Sequence, residues 1–575
     1  MTGADLSVRE TALGFLRVKE SDIMRTHPFV LAGFSFGVAL AGCATTAARP
    51  EGASAPLFHD IGHHRRAVTT SSGMAQRYFD QGLTWTYAFN HDEAIRSFRQ
   101  ATELDPECAM AWWGIALCNG PHINNPVVPP ERAEAAWAAL QNAVAAADNA
   151  GPTERALIGA LQKRYANPQP EDRAPLDQAY ADAMAVVWQS HRSDPDVGTL
   201  YAEALMDLRP WDLWTREGQP QPGTEHVLGV LEDVLRLDPY NPGANHLYIH
   251  AVEASPQPER ANAAADRLRD MVPVSGHLLH MPSHIDVLTG RWDKAVIQNE
   301  KAIRADAAYR GVSPKQGFYH IYMLHNRHML AFAAMMEGRS RVAIRAAGDV
   351  VSSVPEDYGR EAAAFVDAYM CAKYDALKRF GRWDALLHEP APPTYWPITT
   401  AHWHFNRGLA YAAMGEVDAA LRERDAFESA AARIPEEAVA VINPAHDILR
   451  IARNMFDAEI EFRRGNMDES VVALRRAIEI EDALLYMEPP EWAQPVRHTL
   501  GAVLLSAGRY AEAEQVYRED LADWPGNGWS LYGLSRALHL QEKGAEALEV
   551  DARFREAWSR ADIQIGSSCL CVPKT

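Results

Sequence analysis

The pattern of apolar and polar positions predicts pairs of helices, and one stretch shows it with little ambiguity. Residues 75–108 read AQRYFDQGLTWTYAFNHDEAIRSFRQATELDPEC. With Ala75 as position 1, Tyr78 falls at 4, Gly82 at 8, Trp85 at 11, Ala94 at 20, Phe98 at 24, Ala101 at 27 and Pro106 at 32. Small residues at 8 and 20 allow two antiparallel helices to approach, aromatics at 4, 11 and 24 fill the space between them, and Pro ends the second helix. The spacing recurs. Residues 494–527 place Gly501, Leu504, Ala513, Tyr517 and Pro525 at 8, 11, 20, 24 and 32. Residues 401–434 supply Gly408, Tyr411 and Ala420, and residues 451–484 supply Ala458, Ser470, Leu474 and Ala477. Weaker copies lie at 225–239, 244–277, 276–309, 324–357 and 528–561, and no comparable run alternates as a strand would.

This register resembles the tetratricopeptide repeat (TPR) superfamily over most of residues 75–560. The strings RYFDQGLTWTYAFNHDEAIRSF, GANHLYIHAVEAS and GHLLHMPSHI are also similar to blocks shared by a group of histidine-rich bacterial TPR proteins with no settled activity. The resemblance implies an all-α, TPR-type helical-hairpin solenoid with a concave groove, and it implies no reaction. In that family the first helix of each repeat lines the groove, through roughly positions 2, 5 and 9, and the groove usually takes a peptide or protein.

Departures from the repeat mark the organisation. Residues 119–130 (NGPHINNPVVPP) and 209–224 (RPWDLWTREGQPQPGT) read as ordered loops. The Pro-rich 387–397 segment separates an expected array at 55–386 from a second at 398–565, followed by a tail at 566–575. Residues 1–43 read as a leader. Their apolar run, Phe29 to Gly42, is short for a membrane span and follows Arg25 and His27. Leu40-Ala41-Gly42-Cys43 resembles the bacterial lipobox, in which the Cys becomes the lipidated first residue. Met24 is a more typical start for such a leader than Met1. The expectation is an exported cell-envelope protein, anchored through lipid on Cys43 in the outer membrane or facing the periplasm. Cys108 and Cys118 read as small core residues; Cys569 and Cys571 allow a disulfide, a soft-metal clamp or neither.

The histidines add the chemistry. Eight of 22 lie between residues 246 and 328, as His246 and His250, His277, His280 and His284, then His320, His325 and His328. His246 and His250 are four apart, as are His280 and His284, while His325 and His328 are three apart, so each pair shares a helix face. All three pairs fall on first helices of consecutive repeats. Pro282 marks a helix start or re-aims His284. Imidazole is the commonest protein ligand for zinc, copper and iron, and facing helices are where helical scaffolds build metal sites. A transition metal, copper, iron or zinc, is therefore expected on His246, His250, His280, His284, His325 and His328, with His277 and His320 in the same candidate ligand set. Glu253 or Glu203 is the candidate further ligand or general base, Asp207 shares a helix face with Glu203, and Trp211 and Trp214 are candidates for the wall of a substrate pocket. His63, His64 and His122 fall in loops, where they are weaker candidates for capping the groove, and His402 and His404, in a separate C-terminal repeat, are reserve candidates. His91, His191, His226, His388, His446, His498 and His539 read as ordinary core or surface residues.

Composition narrows the function. A formal net charge of −20, from 56 Lys+Arg against 76 Asp+Glu, argues against nucleic-acid binding. HExxH, phosphate-binding glycine loops, dinucleotide fingerprints and CxxC pairs are absent, so any chemistry belongs to the histidines. Two readings follow. One is an extracytoplasmic metalloprotein, an enzyme acting on a small molecule with oxidoreduction favoured over hydrolysis. The other is a lipid-anchored scaffold that binds an envelope protein or peptide.

Overall fold

The computed structural model describes residues 47–48, 55–314 and 317–572. The leader, including Cys43, lies outside the described residues. Among the described residues the only strands are two short antiparallel pairs, Ala47–Ala48 with Leu57–Phe58 and Val439–Ala440 with Asn443–Pro444; everything else regular is helical. No described helix is long and apolar enough to cross a membrane.

Two compact units divide the chain. One runs to Pro282 and resumes over Lys301–Met323; the other holds Ser283–Glu300 and everything from Leu324 onward. The Pro-rich 387–397 segment lies within this second unit.

The histidine-bearing part of the first unit is built from α1 (Gly73–Tyr87), α2 (His91–Leu104), α3 (Ala109–Cys118), α4 (Pro130–Ala145), α5 (Pro152–Leu161), α6 (Ala174–Ser190), α7 (Pro195–Met206), α8 (Thr224–Leu237), α9 (Pro242–Val252), α10 (Asn262–Leu268) and α11 (Gly276–His280). Side chains cap several of these at the N-terminus: Ser72 accepts from the Ala75 amide, Asn90 from Glu93, Asn241 from Ala244 and Ser275 from Leu278. The Pro at the first position of α9 has no amide to leave unpaired there. α12 begins at Pro282 (Pro282–Leu288), so the proline marks a helix start.

The small positions of the repeat do their expected work. A Cβ on Gly82 or on Gly114 would sit 2.6 Å from the Phe98 ring, so the two glycines let α1 and α3 close on either side of α2. The second unit repeats the device. Gly501 and Gly533 face the Tyr517 ring, where an added Cβ would lie 2.3 and 2.1 Å away. Its core runs from Cys371 and Ile398 through Phe405, Phe427, Phe456 and Tyr517 to Val572. The C-terminal tail, polar in sequence, is packed down. Cys569 and Cys571 form a disulfide, both are buried, and Ser568 Oγ donates to the His498 carbonyl at 2.7 Å.

Candidate metal centre

The first unit brings together His246, His250 and His277, with one ring nitrogen from each within 4.8 Å of the others. α9 supplies the first two on consecutive turns, and the capped start of α11 supplies the third. All three are buried. Their outer nitrogens are held in a definite way. His246 Nδ1 donates to the Tyr87 carbonyl at 2.7 Å, and His250 Nδ1 donates to Glu253 Oε1 at 2.9 Å. In each neutral ring this leaves the lone pair on Nε2. The Nε2 atoms of His246 and His277 stand 3.1 Å apart. Two imidazole nitrogens on a tetrahedral metal at ~2.0–2.1 Å lie about 3.3 Å from each other, close to that separation. Donation of the outer N–H to a carbonyl or carboxylate is also how metal-bound histidines are commonly oriented.

A ring of aromatic groups surrounds the three. Phe89 is at the centre: its ring lies 4.5 Å from His246, 5.8 Å from His277, 6.2 Å from His250, 4.5 Å from His122 and 6.4 Å from His91. Tyr322 packs 4.2 Å from His277, and Trp211, 46% exposed, meets His250 edge-on at 6.0 Å. Trp214 donates its indole N–H to the Ala251 carbonyl at 2.8 Å, which braces the 209–224 loop against α9. Phe89 and Trp211 both have left-handed backbones, φ 54° and 60°, a costly state for bulky side chains that persists where surrounding structure imposes it.

Phe89 also stands out within the repeat series. It occupies position 15, the turn between the two helices. The same position carries Gly290, Gly338, Gly415, Gly465 and Gly508 in other repeats, all with φ between 74° and 88°. Phe89 and Glu542 put a left-handed side chain there instead, and the weaker copy at 244–277 carries Pro258. This exception was available in the sequence as a signal. His91, expected as an ordinary core or surface residue, is buried, and its ring lies 4.5 Å from His122, beside the Phe89 ring. His122 reaches the cluster from the 119–130 loop. Burial, reinforced by the Arg132 charge, pushes the His91 imidazole down to about 3, and burial with His91 and His246 nearby holds His122 well below the ordinary histidine range.

The other candidates sit as follows. Glu253 is committed to His250. Glu203 is buried on α7, where burial and the neighbouring Asp207 raise its carboxyl; burial raises Asp207 against the opposing charge of Arg164. His64, from the N-terminal segment, reaches Asp196 at 3.0 Å, which also accepts from Tyr87 Oη at 2.8 Å. His280 is buried with its ring 6.2 Å from His277, and His320 is half-buried on α14 (Tyr319–Met336), which follows α13 (Trp292–Val312). Within the second unit, His284 Nδ1 lies 3.5 Å from Glu488 Oε1, and the His325 ring 5.7 Å from that of His284. His328 meets Tyr369 edge-on, and burial lowers its imidazole to about 4. His402 is bound to Asp375 at 2.9 Å and His404 to Glu423 at 2.7 Å, each away from these groups in sequence and partnered by a carboxylate.

The family model of the tetratricopeptide repeat matches residues 75–108. No curated protein matches the chain. Solved structures similar to it include a human IFIT1 dimer with m7Gppp-AAAA, 13% identical with a TM-score of 0.33 over 86% of this chain and 91% of that one. The APC/C hetero-tetramer Cut9–Hcn1 is 13% identical with a TM-score of 0.29 over 82% of this chain and 77% of that one. Likeness at this level carries no argument about function. One tetratricopeptide repeat is matched in the first unit and the same helical-hairpin packing recurs in the second, so the chain is an all-α helical-hairpin protein that carries a TPR.

Proposed function

We propose that this TPR-type scaffold is a metalloprotein in which His246, His250 and His277 hold a divalent copper, iron or zinc ion and a small molecule takes the open coordination position. The observation that carries the reading is the paired commitment of the outer nitrogens: His246 and His250 each give Nδ1–H away, to a carbonyl and to Glu253, and turn the Nε2 lone pair inward. Three neutral imidazoles fit borderline divalent metals, and a three-histidine set leaves a fourth position for solvent or substrate. When bound, such an ion supplies Lewis-acid polarisation and, for copper or iron, redox capacity. The chain's own part is to hold the ligands in register, exclude bulk water with Phe89 and Tyr322, and keep Glu253 on His250. In the same reading the leader exports the protein and Cys43 carries the lipid anchor.

The test is metal content of purified mature protein after equilibration with zinc and, separately, with copper, for wild type and His246→Ala/His277→Ala. The expected result is loss of one metal equivalent in the double variant with its helical circular dichroism retained. Equal stoichiometry in both proteins overturns the reading and leaves protein or peptide binding, the general role of TPR folds, as the function of the groove.

A further inference from the structure

The hydrogen bonds that orient the three-histidine site lead back to one carboxylate. His246 Nδ1 donates to the carbonyl of Tyr87, the last residue of α1. The hydroxyl of the same Tyr87 donates to Asp196 Oδ1 at 2.8 Å. Asn241, the cap of α9, donates its Nδ2 to that oxygen at 3.1 Å, while its own Oδ1 accepts from the Ala244 amide at 2.8 Å. From the first turn of α7, Asp196 therefore holds both the residue that accepts the His246 hydrogen bond and the residue that starts the helix bearing His246 and His250. The two arms also pack closely: a Cβ on Gly243 in α9 would sit 2.6 Å from the Tyr87 ring. The remaining donors come from the N-terminal segment. His64 Nε2 stands 3.0 Å from Asp196 Oδ1, and Arg66 donates to Oδ2 at 3.2 Å and to both oxygens of Asp194. Asp196 is 4% exposed; burial pushes its carboxyl up, but His64, Arg66 and Tyr87 outweigh that and hold it below the usual carboxylate range. A buried, ionised acceptor fixes its donors more firmly than a neutral one.

We propose that Asp196 is a positioning residue of the three-histidine site: through Tyr87 and Asn241 it holds His246 and His250 with their Nε2 lone pairs turned inward. This rests on the metal reading above. The Tyr87 arm fixes the carbonyl that selects the His246 tautomer, and the Asn241 arm fixes the start of α9. Loss of an arm lets the rings reorient, and metal affinity falls because the ligands are no longer held in the bound geometry.

The experiment measures zinc affinity of the full-length protein by competition with a chromophoric chelator, beside thermal unfolding of the metal-free protein. Asp196→Ala is expected to weaken zinc about thirtyfold, within the range for losing a group that orients a ligating ring. Tyr87→Phe keeps the carbonyl and removes only the hydroxyl, and is expected to weaken zinc about tenfold. Asp196→Asn, whose carboxamide oxygen still accepts from Tyr87 and Asn241, is expected to stay within about threefold of wild type. Asp194→Ala controls for stability alone, since Asp194 caps the same helix and binds the same Arg66. It is expected to lower Tm comparably while zinc affinity stays within about threefold of wild type. Wild-type affinity in Tyr87→Phe, an Asp196→Asn as weak as Asp196→Ala, or an Asp194→Ala as weak as Asp196→Ala overturns the proposal. Tyr87→Phe decides alone if Asp196→Ala does not fold. Nitrogen NMR of the metal-free protein separates this from the metal reading: wild type is expected to show His246 protonated at Nδ1, and Tyr87→Phe a mixture of the two tautomers. If wild type binds no zinc, the metal reading falls. The mixture in Tyr87→Phe then supports the positioning role, and a His246 still wholly protonated at Nδ1 overturns it.

Discussion

At the scale of single residues, Phe89 concentrates the cost and the use of the site. A buried Phe→Ala change ordinarily removes about 3–5 kcal/mol. Here Gly has an advantage that Ala lacks, because φ 54° strains any residue with a Cβ. Phe89→Gly should therefore be more stable than Phe89→Ala by about 1 kcal/mol, the reverse of the order in a helix interior. Urea denaturation of the two variants checks this, and Ala at or above Gly refutes it. Glu253 acts through another ring: its carboxylate sets the tautomer and angle of His250. Glu253→Gln should weaken zinc binding roughly 10–100-fold with little change in thermal stability of the metal-free protein. A competition titration with a chromophoric chelator measures that ratio. Legibility divides along the same line. His246 and His250 were readable because four-residue spacing puts them on one face. His122 was read only as a weaker candidate for capping the groove and Phe89 was not read, because their places depend on a turn and a loop packing beside α9, which helical spacing does not report.

At the scale of elements, the turns and caps decide where side chains point. Asn241 caps α9, accepts from the Ala244 amide and donates to Asp196, so it fixes the start of the helix that carries His246 and His250. Asn241→Ala should cost about 1–2 kcal/mol by chemical denaturation, more than an exposed cap because its buried partner also loses a donor. The position-15 turn offers a contrast far from the cluster in sequence. Glu542 is exposed with φ 62°, so Glu542→Gly should stabilise the protein by about 0.5–1 kcal/mol. A loss of stability would show that the left-handed turn is not strained there. The helices themselves were legible, since small and aromatic residues at 8, 20 and 24 act on the nearest neighbours in sequence. Gly82 against Phe98 is that pattern made physical. The tail was not legible: Ser567, Ser568, Cys569 and Cys571 look polar or reactive as a string, yet all are buried against helices far away in sequence.

At the scale of the whole molecule, an acidic chain with a formal charge of −20 buries several carboxylates, and that shapes its response to pH. Burial raises Glu459 from 4.5 to about 7 despite its 2.8 Å contact with Arg463. Between those two values the folded state holds a proton that the unfolded state has released. The stabilisation is fully present below pH ~4.5 and is lost as pH rises through about 7. Glu459→Gln should flatten the fall in Tm across that window and raise Tm at pH 8 relative to wild type; a parallel pair of curves would contradict it. Sequence alone determined the repeat and its all-α character, because hairpin packing is written in residues a turn or a hairpin apart. It also determined that the histidines concentrate in one region. Tertiary structure decided which of them meet. His277 meets His246 and His250, His91 and His122 pair with each other from other elements, and Glu253 orients the His250 ring. The reason is that helical spacing constrains a face within one element, while convergence depends on how elements tens of residues apart pack on each other.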